Sequence, residues 1–191
     1  MQVVMGIDPG AANLGFGIVR IEGNRMVALD GGVVETSAEE AMERRLQRIY
    51  GALSELIAWH EPKAMAIESV YFAKNVHSAM AVGQASGVAM LAAAQGGIGC
   101  FAYTPQAIKM AVCGAGGAGK EQVQRMVGTL LGLPEPPSPD HAADALAVAI
   151  CHSARVNSIV ETLKSDVPRA PRSWRDYRPS EPPNLRTPND R

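Results

Sequence analysis

The chain has 191 residues, 47% of them apolar, and a formal net charge of −1. That size supports one well-buried domain with room for a tail, and the balanced charge gives no overall attraction to polyanions. No run of eighteen apolar residues occurs, which excludes a membrane-spanning helix. Cys100, Cys113 and Cys151 are odd in number and lack CxxC spacing. They fit buried reduced thiols in a cytoplasmic protein better than a disulfide framework or a zinc site. The first residues are strand-like and carry no charged leader, which agrees with that compartment.

In chain order, residues 2–8, 14–21 and 25–36 read as three strands punctuated by Gly10, Gly15, Gly17 and Gly31-Gly32, the pattern of an antiparallel meander. Ser37 with Glu40 three residues later forms a capping box. The amphipathic helix it opens runs to about Trp59, with Met42, Leu46, Ile49, Leu53, Leu56 and Ile57 on its apolar face. Pro62 stops it, and a short buried strand follows at 64–68. A helix rich in small residues occupies about 76–95, then a strand at 98–103. Thr104 and Pro105 supply a cap and a first-turn proline for a short helix. A glycine-rich loop at 114–119 leads to a helix ending near 131. Ser138-Pro139 repeats the cap-and-proline signal and opens a last helix over 139 to about 160. The element order describes an α/β fold, a mixed sheet with helices on both faces. The domain is expected to span 1–164. Residues 166–191 hold six arginines, four acids and six prolines with almost no aliphatic side chains. Such a 165–191 tail is expected to stay disordered.

Three acids stand out. Asp8 closes the apolar run Val3–Ile7, Glu68 closes Met65–Ile67, and Asp144 lies near the start of the last helix. A carboxylate that closes a buried strand lies at the sheet's carboxyl edge, where open α/β folds place ligand sites. Carboxylates crowded there repel one another, and a divalent cation relieves the repulsion. The constellation therefore points to metal-assisted phosphoryl chemistry. Gly15 and Gly17 on the second strand are expected to let a substrate backbone approach. After Glu68, Tyr71 and Phe72 with Lys74 offer stacking and a phosphate contact. His141 and Asp144 share a helix face at i, i+3, and Asp140 and Asp144 share one at i, i+4. Spacing alone does not choose between the two pairs, and a first-turn acid such as Asp140 also complements the helix dipole.

Charge is unevenly spread. Residues 1–62 hold nine acids against five Lys/Arg, whereas from Lys63 to Leu133 the acids are Glu68 and Glu121 against Lys63, Lys74, Lys109, Lys120 and Arg125. The middle stretch is expected to present a modestly positive surface to a phosphate backbone. Gly114–Lys120 imitates the start of a phosphate-binding loop, but Glu121 stands where Ser or Thr is needed and a helix precedes it, so an ATPase reading fails. The loop's better use is to place Lys120 near a phosphate.

Gly6-Ile7-Asp8-Pro9-Gly10, Ala66-Ile67-Glu68 with Phe72-Ala73-Lys74-Asn75, Gly83-Gln84-Ala85 and Ala142-Ala143-Asp144-Ala145-Leu146 occur in that order between residue 3 and about 152. Together they resemble the RuvC family, bacterial endonucleases that resolve Holliday junctions. The resemblance implies an RNase H-like fold, with a five-stranded sheet whose first three strands are antiparallel. It also implies a homodimer, two Mg²⁺ per active site with Mn²⁺ as a substitute, and work with a RuvA–RuvB branch-migration complex. Paired symmetric nicks in a four-way junction would leave 5′-phosphate and 3′-hydroxyl ends, in DNA recombination and repair. By position, the catalytic and metal-binding residues fall on Asp8, Glu68, His141 and Asp144. Many relatives hold aspartate where His141 stands. Histidine leaves the set less negative and open between two roles, metal ligand and activator of water. Tyr71 matches an aromatic presented to the junction centre, and Lys109 and Lys120 match basic positions near the scissile DNA. With Lys74 these form the expected DNA-binding set. The resemblance does not extend beyond about residue 165. Small residues Gly83, Ala85, Ser86, Gly87 and Ala89 make helix 76–95 a candidate dimer interface, or alternatively a close packer on its own sheet. Rival readings are another RNase H-like nuclease with a different preferred nucleic-acid shape, a non-catalytic junction-binding module, and an actin-like phosphotransferase. The last needs a second domain for which about 150 ordered residues leave no room.

Overall fold

Alternation along the central strands decides which side chains share a face. In β1 (Gln2–Asp8), Met5 and Ile7 join one core cluster while Val4 joins another. In β4 (Ala64–Glu68), Met65 and Ile67 go with the first cluster and Ala66 with the second. The period of two therefore turns Asp8 and Glu68 toward the second cluster's face. The computed structural model describes residues 2–23, 25–69 and 76–165, with 76–77 and 157–165 as backbone only. Met1–Ser158 form one compact unit and Ile159–Arg191 another, of which only the helical residues up to Ser165 are described. The 165–191 tail thus falls, beyond Ser165, outside the described residues.

The sheet is five-stranded in the order β3-β2-β1-β4-β5. β2 (Asn13–Glu22) and β3 (Arg25–Glu35) extend β1 as an antiparallel meander, while β4 and β5 (Gly99–Tyr103) run parallel to β1. A register shift between Ile18 and Val19 interrupts the β2–β3 ladder. On one face, α1 (Met42–His60) and α2 (Val76–Gln95) cover Met5, Ile7, Leu14, Ile18, Met65 and Ile67 through Ile49, Leu53, Ile57, Ala85 and Ala89. On the other lie α3 (Pro105–Cys113), α4 (Lys120–Leu131) and α5 (Asp140–Ser165). From Ala145 to Ser153 every residue of α5 is buried; Ala145–Cys151 are apolar on all sides, as an enclosed helix requires, and the buried His152 and Ser153 are hydrogen-bonded. The mixed sheet with helices on both faces is as expected from the element order.

Several local expectations need correction. Ser37 and Glu40 do not cap α1: the Glu40 N–H donates to the Ser37 carbonyl in a turn, the Ser37 Oγ accepts from Glu39 N–H, and the Glu40 carboxylate pairs with Arg48. The helix begins at Met42, with Ala41 at the cap position and no side-chain cap. The Thr104 cap does form, its Oγ1 accepting from Ala107 N–H. α5 begins at Asp140, with the Pro139 carbonyl accepting from Ala142 and Ala143. Ala85 and Ala89 of α2 are fully buried in their own core, whereas Gly83 and Gly87 face open space. Among the three free cysteines only Cys151 is fully buried. No described helix is long and apolar enough to cross a membrane.

Candidate active site

The parallel register pairs Ile7 with Ile67, so Asp8 and Glu68 are the next residues on adjacent strands, at the carboxyl edge and on the face α5 covers. What brings α5 to them is missing side-chain volume. Gly6 and Gly17 are cross-strand partners, and Gly15 is the partner of Asp8. A Cβ at Gly6 would stand 2.0 Å from the Ala145 carbonyl oxygen, one at Gly15 2.0 Å from the His141 carbonyl oxygen, and one at Gly17 2.8 Å from Leu146. The strand glycines therefore admit a helix backbone. This corrects the expectation that Gly15 and Gly17 leave room for substrate: the chain itself fills that space.

The first turns of α5 are thereby laid beside Asp8. His141 Nδ1 lies 2.7 Å from Asp8 Oδ2. Asp8, His141 and Asp144 each offer one donor atom, and these atoms all lie within 4.8 Å of one another. An imidazole and two carboxylates at that spacing suit a single small divalent cation. Glu68 lies outside that tight group but shares its field. Burial, then the charges of Asp8 and Asp144, push its carboxyl up to about 7 against the opposing pull of Lys109. The Asp144 carboxyl is raised too, by burial first, with Lys120 opposing. The lysines offset burial and mutual repulsion only in part, a condition a cation relieves.

The site opens into a cavity of about 270 Å³ lined by Glu68, Pro105, Ile108, Lys109, Lys120, Val123, Asp144 and Ala147. Two of the expected basic residues, Lys109 and Lys120, stand here beside two of the expected acids. Lys120, first residue of α4, reaches Asp140 Oδ2 at 3.0 Å and Asp144 Oδ2 at 3.5 Å. The glycine loop before it follows a helix, α3, which agrees with rejecting a nucleotide loop. Among the described residues the expected positive surface is not continuous. Lys63 lies before β4, at the far end from Glu68, beside Glu61 and Pro62, and Arg125 leans toward Glu121 at 4.0 Å. Tyr71, Phe72 and Lys74 lie outside the described residues.

Two contributors escaped the sequence reading. Ser69 donates both its N–H (2.8 Å) and its Oγ–H (2.9 Å) to the Tyr103 carbonyl, pinning the residue after Glu68 to β5. The Tyr103 hydroxyl in turn meets buried His152 Nδ1 at 2.7 Å. No spacing rule exposes such a contact across strands. The glycine alternation at 6, 15 and 17 was visible, but only the strand register shows that the glycines line one face.

Sheet order, helix placement and an acidic edge together define an RNase H-like fold with a candidate metal site. Residues 4–152 match the family model for crossover junction endodeoxyribonuclease RuvC. The crossover junction endodeoxyribonuclease RuvC of Pelotomaculum thermopropionicum is 52% identical over 152 residues, covering 80% of this chain and 93% of that one. That of Trichlorobacter lovleyi is 47% identical over 180 residues, covering 92% of this chain and 99% of the relative. The latter match necessarily passes Ser165, which corrects the expectation that likeness ends there. The solved structure of Thermus thermophilus RuvC in complex with Holliday junction substrate is 39% identical with a TM-score of 0.80, covering 83% of this chain and 96% of that one. The chain belongs to the RuvC family, and with it to the crossover junction endodeoxyribonucleases.

Proposed function

We propose that the chain resolves four-way DNA junctions by hydrolysing one phosphodiester in each of two opposing strands, with Asp8, Glu68, His141 and Asp144 as the catalytic set. The observation that carries this reading is the convergence of Asp8, His141 and Asp144 donor atoms within 4.8 Å beside Glu68, at the mouth of a cleft flanked by Lys109 and Lys120. The donor set suits Mg²⁺, with Mn²⁺ as a substitute, since both accept carboxylate oxygens and tolerate an imidazole. A divalent cation bound there would supply water activation and offset negative charge on the phosphate. Asp8 and Asp144, with Glu68 beside them, would hold it. The Asp8 contact fixes the His141 ring beside the carboxylates, where the imidazole would serve as a ligand or accept a proton from water. Lys109 and Lys120 draw the scissile phosphate into the cleft, and Tyr71 and Lys74, which follow Glu68 in sequence, contact the junction. The products carry 5′-phosphate and 3′-hydroxyl ends, fit for ligation in recombination and repair.

Two equal sites on a two-fold dimer match a two-fold junction. Support for the homodimer comes from α2, whose outward face carries Met80, Gly83, Gly87, Met90 and Ala94 at helical spacing. Met80 is 59% and Met90 48% exposed. The protein works in the cytoplasm with a RuvA–RuvB branch-migration complex. Residues 1–164 make up the nuclease domain and 165–191 a tail.

Asp8→Asn and Asp144→Asn test the site. Each is expected to abolish cleavage of a synthetic junction while leaving junction binding largely intact, since Lys109 stays on the cleft in both variants and Lys120 keeps its nearer partner Asp140 when Asp144 loses its charge. Normal cleavage by either variant sinks the assignment.

A further inference from the structure

Asp140 is not one of the three tight donors, yet it is the nearer of the two carboxylates to Lys120. The ammonium stands 3.0 Å from Asp140 Oδ2 and 3.5 Å from Asp144 Oδ2, with both side chains of the nearer pair more than half exposed. Asp140 and Asp144 are one helical turn apart on α5, so both face α4 from the same side. Lys120 opens α4, and its ammonium lies within hydrogen-bonding distance of Asp140 Oδ2. Without that bond, its remaining partner of the two is Asp144. A lysine settled fully on Asp144 occupies the carboxylate oxygen that a cation needs.

We propose that Asp140 is a positioning residue that shares the Lys120 ammonium with Asp144 and, as its nearer partner, weakens its hold there, so that a divalent cation competes more easily for Asp144 while Lys120 stays on the cleft rim for phosphate. This rests on Asp144 being a cation ligand, the reading given above. Neither the i, i+4 spacing nor the first-turn position of Asp140 requires it, because a dipole-complementing acid would act without reference to Lys120.

A double-mutant cycle on the full chain separates these alternatives, with Mn²⁺ binding in the absence of DNA as the readout. Asp140→Asn is expected to weaken Mn²⁺ binding about threefold, the size appropriate to an exposed ion pair. Lys120→Met is expected to tighten Mn²⁺ binding while slowing junction cleavage, and in that background Asp140→Asn should change Mn²⁺ binding no further. Asp140→Glu should keep most of the native affinity. An Asp140→Asn effect of equal size with and without Lys120 overturns the proposal, since it would reflect a lost negative charge alone. So does an Asp140→Asn variant with native affinity. Asp144→Asn is the control. If it abolishes Mn²⁺ binding while the cycle shows no coupling, only the role of Asp140 fails. If it binds Mn²⁺ normally, the cation-site reading fails first.

Discussion

Burial and two carboxylate neighbours place the Glu68 carboxyl at about 7, above its ordinary 4.5. The folded chain therefore holds a proton there more tightly than the unfolded chain does. By linkage, this group's contribution to stability is most favourable below about 4.5 and falls as pH rises toward about 7. Thermal unfolding across that window, without divalent cation, should show the decline, and Glu68→Gln should remove it. A cation must displace the same proton, so Mn²⁺ affinity should climb with pH until about 7 and then level. A flat Mn²⁺ affinity across the window would mean that Glu68 takes no part in holding the ion. Asp8, Glu68 and Asp144 were legible as candidates because each acid interrupts an otherwise apolar segment. The tie between Asp140 and Lys120 was not, because it depends on where α4 starts relative to α5.

The β1–β2 pair and α5 form the unit on which the site is built. Gly15 has no room for a Cβ against the His141 carbonyl, and backbone cannot yield as a flexible side chain can. Gly15→Ala is expected to cost about 1–3 kcal/mol in unfolding free energy, as overpacking does. It should weaken Mn²⁺ binding as well, because it lifts His141 and Asp144 away from Asp8. Gly23→Ala makes a useful contrast: it sits at a turn with open space but positive φ, so its cost should be conformational and leave Mn²⁺ affinity untouched. Paired denaturation and Mn²⁺ titrations of the two variants read these effects separately. Element order and type followed from periodicity and turn residues, since those signals are local. The α1 start was misjudged because a Ser-x-x-Glu pattern serves a turn here as well as it serves a cap. The purpose of the glycines was misjudged because a strand glycine looks the same whether it admits substrate or a helix.

At the scale of the whole molecule, paired nicking needs two copies of the site, and α2 is where the copies are expected to meet. Leu91 is 51% exposed beside Met90, so a charge there should not disturb the chain's own core. Leu91→Glu is expected to give a folded monomer by sedimentation that nicks junction strands singly rather than in concert. An unchanged dimer would move the interface elsewhere. Small residues announced a close-packing helix, but only the burial of Ala85 and Ala89 shows which of its faces is already taken.

The central claim is that this site cuts four-way junctions with the help of a divalent cation. Its most direct test compares cleavage of a synthetic four-way junction and a matched linear duplex in Mg²⁺, Mn²⁺ or EDTA, with Asp144→Asn alongside. Symmetric nicks on the junction alone, lost in EDTA and in the variant, are the expected result. A junction that is bound but left intact in both metals would contradict it and leave a binding module in place of an enzyme.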